Sequence, residues 1–213
     1  IEALALKDDN SIPVGERIAK PILEAIGRTG IKWRGQSRAN GVHPEMVKLA
    51  KESGCVEIAV GIESASPEVL RITNKKINLE KAKEYLRLLK RTGIAARVHF
   101  ILGLPGEPND IVKKTLDFID EIEASSVLLS LFCPLPGSMI YNNPEKFGIK
   151  KQSIELNWEK YRVVFGRFDE NELPEMVFEY EDVTPWGRGT KKDRILQNYI
   201  ELQTILRDRK LNF

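Results

Sequence analysis

Asp8-Asp9-Asn10, Arg38-Ala39-Asn40, Glu63-Ser64, Gly103-Leu104-Pro105-Gly106-Glu107 and Pro134-Leu135-Pro136-Gly137-Ser138 carry the groups best suited to holding a polar ligand. Carboxylates there receive amines and hydroxyls, Arg38 pairs with a carboxylate in a fork, and the glycines let a backbone approach a flat ring. Taken singly, each also reads as an ordinary cap or turn, because Asp, Ser, Gly and Pro are what such turns require. Their common position sets them apart. Each follows a strand-like run, and in parallel α/β sheets ligands meet the loops after strand C-termini.

The elements that must position these loops are legible as an alternation. Strand-like runs are expected at 2–7, 31–37, 55–62, 95–103 and 126–132. Helical patterns lie between them: Ile18, Ile22 and Ile26 at four-residue spacing with Pro21 expected to kink the helix; then Met46, Val47 and Ala50 between Pro44 and Gly54. Ser66-Pro67 opens a short helix, Leu79, Ala82, Leu86 and Leu89 stripe the next, and Ile111, Val112, Thr115, Phe118, Ile119 and Ile122 the one after. Repeated strand–helix alternation implies a parallel sheet with right-handed crossovers. Periodicity does not decide whether the sheet curls or stays flat.

The strands alternate in polarity. Val56, Ile58, Val60 and Ile62 fall on one face against Glu57, Ala59 and Gly61; Val98, Phe100 and Leu102 oppose Arg97, His99 and Ile101; Ile31 and Trp33 oppose Lys32, Arg34 and Gln36. Strands covered on both faces read as continuous apolar runs, and a packed closed barrel fills its interior with Val, Ile and Leu. The expectation is therefore a curved sheet with helices outside and a polar, open concave side.

Length and composition bound the rest. At ~150 residues per domain, 213 residues make one sizeable domain with an appendage. The hydrophobic and charged fractions, 42% and 30%, are globular and exclude wholesale disorder. A formal charge of +2 is too balanced for a nucleic-acid or membrane footprint. Cys55 and Cys133 are too few for a disulfide framework, which makes a reducing cytoplasmic setting the default. No apolar run approaches the ~18 residues of a membrane span. The chain opens inside an apolar alternation without an initiator Met and is read as a fragment starting mid-domain. From about Asn142 the pattern changes: short strands are expected at 163–165 and 177–180, and a helix over 191–208 with Ile195, Tyr199, Leu202 and Leu206 on one face. Residues 1–141 are read as a partial barrel and 142–213 as a C-terminal extension ending in that helix.

Gly54-Cys55, Gly61-Ile62-Glu63-Ser64, Val69-Leu70, Gly93-Ile94, Phe100 to Glu107 and Pro134 to Ser138 form an ordered set. This set resembles the successive signatures of radical S-adenosylmethionine (SAM) enzymes, most closely the cobalamin-binding and methylthiotransferase branches. The resemblance implies a partial (β/α) TIM-like barrel with SAM across the tops of its strands. On this likeness Asp8 and Asp9 contact the methionine amino group, Arg38 its carboxylate, and Glu63 with Ser64 the ribose. Ile101, Gly103 and Pro105 pack on adenine, and Leu131 to Cys133 offer backbone to the adenine edge. Arg34, Arg97 and His99 point toward substrate, although Glu57 can pair with those bases and His99 also reads as an interior histidine.

The family's CxxxCxxC loop, which holds a [4Fe–4S] cluster, is absent from the sequence. The expectation is that a first βα unit with that loop lies upstream of Ile1 in a parent protein. This chain should then neither bind the cluster nor cleave SAM reductively. The exposed edge at 2–7 would pair with another chain, as in a homodimer, or be disordered. At the parent level the resemblance implies SAM cleavage to a 5′-deoxyadenosyl radical for hydrogen abstraction or methyl or methylthio transfer. An electron donor of flavodoxin or ferredoxin type would serve it, the need for cobalamin is left open, and no membrane partner is implied. Two other readings stand beside it: a cluster-less binding or scaffold module, and an RNA-modifying member whose Arg188, Lys191, Lys192 and Arg194 bind RNA.

Overall fold

The computed structural model describes residues 3–8, 10–13, 15–40, 43–157 and 175–212. A parallel sheet of strands β1 (Leu4–Ala5), β2 (Trp33–Arg38), β3 (Cys55–Glu63), β4 (Ala95–Leu102) and β5 (Ser126–Leu131) runs in sequence order. Crossover helices α1 (Glu16–Gly27), α2 (Pro44–Glu52), α3 (Pro67–Ile72), α4 (Leu79–Arg91) and α5 (Ile111–Ile122) connect the strands. This is a half-barrel of the TIM type. Ile58, Val60 and Ile62 of β3, Val98, Phe100 and Leu102 of β4, and Val127, Leu129 and Leu131 of β5 are buried toward the helices. Leu86, Leu89, Phe118 and Ile119 meet them from α4 and α5, Phe100 and Phe118 edge to face at 5.7 Å.

The opposite face is polar, as the alternation predicts. Across the ladders Arg34 pairs with Glu57, Gln36 with Ala59 and Arg38 with Gly61, and on the other side of β3 Ala59 pairs with Arg97 and Gly61 with His99. Ala59 and Gly61 therefore form a shallow floor between taller polar side chains.

Several local expectations change. The first strand keeps just Leu4–Ala5, and Glu2 and Asp9 lie outside the described residues. A register shift at Trp33/Arg34 leaves Val56 out of the ladder, so it does not share the buried row of Ile58 and Val60. Helix α1 runs through Pro21 as one element, and the carbonyl deprived of its partner belongs to exposed Arg17, on the solvent side of the helix. Its buried face is Ala19 and Leu23, the side that meets α2; Ile18 and Ile22 stay exposed.

After β5 the chain makes a short helix α6 (Met139–Asn142), a small hairpin of β6 (Val183–Thr184) and β7 (Gly187–Arg188), and α7 (Lys192–Asp208). The strand expected at 177–180 is reduced to a bridge between Ile149 and Tyr180, and 163–165 lies outside the described residues. Helix α7 buries Ile195, Tyr199, Leu202 and Leu206 against β4, β5 and α5, and Asn212 then bridges Val127 in parallel. Of the basic residues at the start of α7, Lys191 pairs with Asp182 and Lys192 with Glu179, so these charges are spent within the chain. No helix among the described residues is long and apolar enough to cross a membrane.

Candidate functional site

The C-terminal ends of β2, β3 and β4 surround a cleft of about 450 Å³ over the Ala59–Gly61 floor. Gln36, Arg38 and Asn40 line it from β2, Glu63 from β3 and His99 from β4. Lys75 and Lys76, from the connection between α3 and α4, close the outer side. Asn40 ties the two walls together by donating from Nδ2 to the Lys76 carbonyl at 2.7 Å.

Glu63 sits where the β3–β4 ladder slips: Gly61 pairs with His99, but Glu63 pairs with Phe100. Such a bulge re-aims a side chain at a strand end. Here Glu63 takes a φ of 68°, a left-handed backbone uncommon for any residue but glycine. Its carboxylate folds back over Gly61, where a Cβ would lie 2.8 Å from Oε1, and meets the Lys75 ammonium at 3.4 Å. A strained acid beside a cation at a strand mouth is the arrangement expected of a ligand-holding group.

Deeper on the same face Arg97 pairs with Glu57 at 2.6 Å, both largely shielded. His99 lies one row above. Burial, reinforced by the Arg97 charge, pushes its imidazole below the usual range, so it is neutral at neutral pH, and its Nε2 is enclosed without a hydrogen-bond partner.

The loop after β4 is clamped from below. Gly103 adopts a φ of 86°, and Ile195 of α7 lies 2.9 Å from where its Cβ would be, so nothing larger fits the turn. The Glu107 carboxyl is shielded under that loop, and its Oε1 is buried without a hydrogen-bond partner. Burial, opposed by the nearby Gly103 and Leu104 N–H groups, pushes its pKa up to about 8. Tyr180 donates its hydroxyl to the Gly103 carbonyl at 2.8 Å.

The remaining expected site residues are placed as follows. Asp8 is exposed at the end of β1, its carbonyl accepting from Gln36 Nε2 at 3.1 Å. Arg34 is exposed on the concave side of β2. Ser64 is buried, with its hydroxyl accepting from the Ser66 N–H at 3.2 Å. Ile101 stands beside Ser130 on the concave side, Pro105 is buried in the turn, and Leu131 and Cys133 are buried at the end of β5. Sequence reasoning missed Lys75, Lys76 and Tyr180.

A sequence profile described as the Radical SAM superfamily matches residues 13–119, half of the chain. The chain belongs to the radical SAM superfamily. It is 28% identical over 159 residues to an uncharacterized methyltransferase of Pyrococcus horikoshii, covering 73% of this chain and 34% of that protein. It is 26% identical over 197 residues to the bacteriochlorophyllide d C-12(1)-methyltransferase of Chlorobaculum tepidum, covering 92% of this chain and 38% of the relative. Among solved structures it resembles the radical SAM methyltransferase TsrM of Kitasatospora setae, with cobalamin and a [4Fe–4S] cluster bound: TM-score 0.53, 21% identity, 62% of this chain and 28% of that one. The chain thus spans little more than a third of the curated relatives' length.

Radical SAM enzymes use SAM and a four-iron cluster, and the two cofactors fit this chain differently. The cleft is of ligand size, with a strained carboxylate and three cations at its rim, which suits the hydroxyls and carboxylate of SAM. The cluster does not fit the cysteines present. Iron–sulfur clusters need thiolates, and burial pushes the Cys55 thiol up to about 12. Cys133 is buried too, and no trio of metal-ligating side chains converges among the described residues.

Proposed function

We propose that this chain forms the SAM-holding part of a radical SAM methyltransferase. The observation that carries the proposal is the gathering of Arg38, Glu63 and Lys75 around one cleft at the ends of adjacent parallel strands. Glu63 accepts from the two ribose hydroxyls, and Arg38 with Lys75 takes the methionine carboxylate. Asp8 serves the amino group, with Asp9 outside the described residues. Ile101 and the 103–107 turn, including Gly103 and Pro105, pack on adenine, and backbone of Leu131 to Cys133 meets its edge. Ser64 supports the turn beneath Glu63. SAM bound there supplies the transferable methyl group and the adenosyl fragment. The chain's own residues orient it and shield it from water. Arg34, Arg97 and His99 face the space below for substrate. Methyl transfer rather than methylthio transfer is favoured because the Chlorobaculum tepidum relative, which matches 92% of this chain, is a methyltransferase. A cobalamin and a flavodoxin- or ferredoxin-type electron donor belong to this reading of the whole protein.

Calorimetric titration of the chain with S-adenosylhomocysteine tests the reading. One saturable site per chain is expected, and no binding up to millimolar ligand overturns it. A separate result concerns the metal: anaerobic reconstitution with iron and sulfide should leave far less than four irons per chain. A stoichiometric cluster on these 213 residues would show that Cys55 and Cys133 do ligate iron.

A further inference from the structure

The peptide unit joining Gly103 to Leu104 is held by a group far away in sequence. Its carbonyl accepts from the Tyr180 hydroxyl at 2.8 Å, across 77 residues, and Leu104 itself is buried. Gly103 carries a φ of 86°, so this peptide can rotate about the Gly103 ψ and Leu104 φ bonds without a Cβ clash at Gly103. A glycine at this position leaves more than one orientation of the following peptide open. Something must choose between them. The Tyr180 ring is fixed in turn by an edge-to-face contact with Phe178 at 5.1 Å, and Phe178 by another with Phe132 at 5.4 Å, just beyond β5.

We infer that Tyr180 is a positioning residue for the adenosyl end of the site, locking the Gly103–Leu104 peptide in one orientation and so fixing the surface of the 103–107 turn. The inference rests on the reading that this turn packs on adenine. The hydroxyl itself touches no ligand. It acts by denying the carbonyl any other orientation. An unlocked turn presents adenine with a mixture of surfaces, and the fraction in the wrong orientation subtracts directly from apparent affinity.

Tyr180→Phe removes the hydroxyl and keeps the ring stack. Its partner is Tyr199→Phe, which deletes a hydroxyl that donates to the Leu129 carbonyl at 3.3 Å on the helix side of β5, away from the cleft. S-adenosylhomocysteine and adenosine should each bind Tyr180→Phe about five- to tenfold more weakly than the parent chain, the scale of one buried hydrogen bond. Tyr199→Phe should bind both as the parent does. Independently of any ligand, the Leu104 amide should exchange with deuterium faster in Tyr180→Phe, while amides in the middle of β4 keep their protection. Unchanged affinity and unchanged exchange in Tyr180→Phe would overturn the inference, as would equal losses in both variants. Absence of binding to the parent chain would instead overturn the adenosyl reading itself, and the exchange experiment would still decide whether the peptide is locked.

Discussion

Replacing Glu63 with alanine should weaken S-adenosylhomocysteine binding about 100-fold, and replacing it with glycine should do the same while giving the more stable protein. The first effect follows from charge-assisted hydrogen bonding: a carboxylate accepting from two hydroxyls contributes roughly 1.5–3 kcal/mol per bond, with incomplete additivity. The second follows from the backbone. Glu63 has a φ of 68° at the β3 bulge, a conformation that costs any Cβ-bearing residue about 1 kcal/mol relative to glycine. Alanine and glycine both lose the carboxylate and its half-exposed Lys75 partner, so the difference between them isolates the strain. About 1 kcal/mol corresponds to a melting temperature ~2–4 °C higher for Glu63→Gly than for Glu63→Ala. Full binding by either variant would remove Glu63 from the site. Equal melting temperatures would mean that its backbone is unstrained.

The acid is readable in sequence and its partner is not. Glu63 continues the β3 alternation, so Gly61 and Glu63 are expected on the polar side from periodicity alone. Lys75 reaches it from the connection between α3 and α4, and no pattern within 74–78 announces that the connection folds back over the strand ends. Periodicity succeeded best in the middle of the sheet, where Ile58, Val60, Val98 and Phe100 point to the helices as expected. It failed at the margin. Ile18 and Ile22 are larger and more apolar than Ala19 and Leu23 taken together, yet α1 buries the latter pair, because the face that meets α2 is set by docking and not by hydrophobicity. The end of the chain shows the same division. The stripe from Ile195 to Leu206 was legible as one face of a helix, whereas the Tyr180 bond to Gly103 joins residues whose proximity depends on the whole path between them.

Stability should fall as pH rises from 6.5 to 9, and Glu107→Gln should abolish most of that fall. The Glu107 carboxyl has an ordinary value of 4.5 when exposed, and burial raises it to about 8 in the fold. Between those values the folded chain holds a proton that the unfolded chain has released. An acid raised in this way contributes stability that is complete below the unfolded value and is lost as pH climbs through the folded one. The contribution is on the order of a few kcal/mol, read as a falling urea midpoint at constant m-value. Other groups set the window. His99 is held below its ordinary value and so destabilises the fold on the acid side, below about pH 6.5. Tyr180, raised by burial and by its proximity to Glu107, enters only above pH 10, and the buried Cys55 thiol begins to matter near pH 9. The neutral amide of Glu107→Gln mimics the protonated acid throughout, so the two profiles converge only below about pH 4.5, and across pH 6.5–9 the gap between them should widen until it levels off above the folded value of about 8. Parallel profiles would mean that the carboxyl is already ionised in the fold.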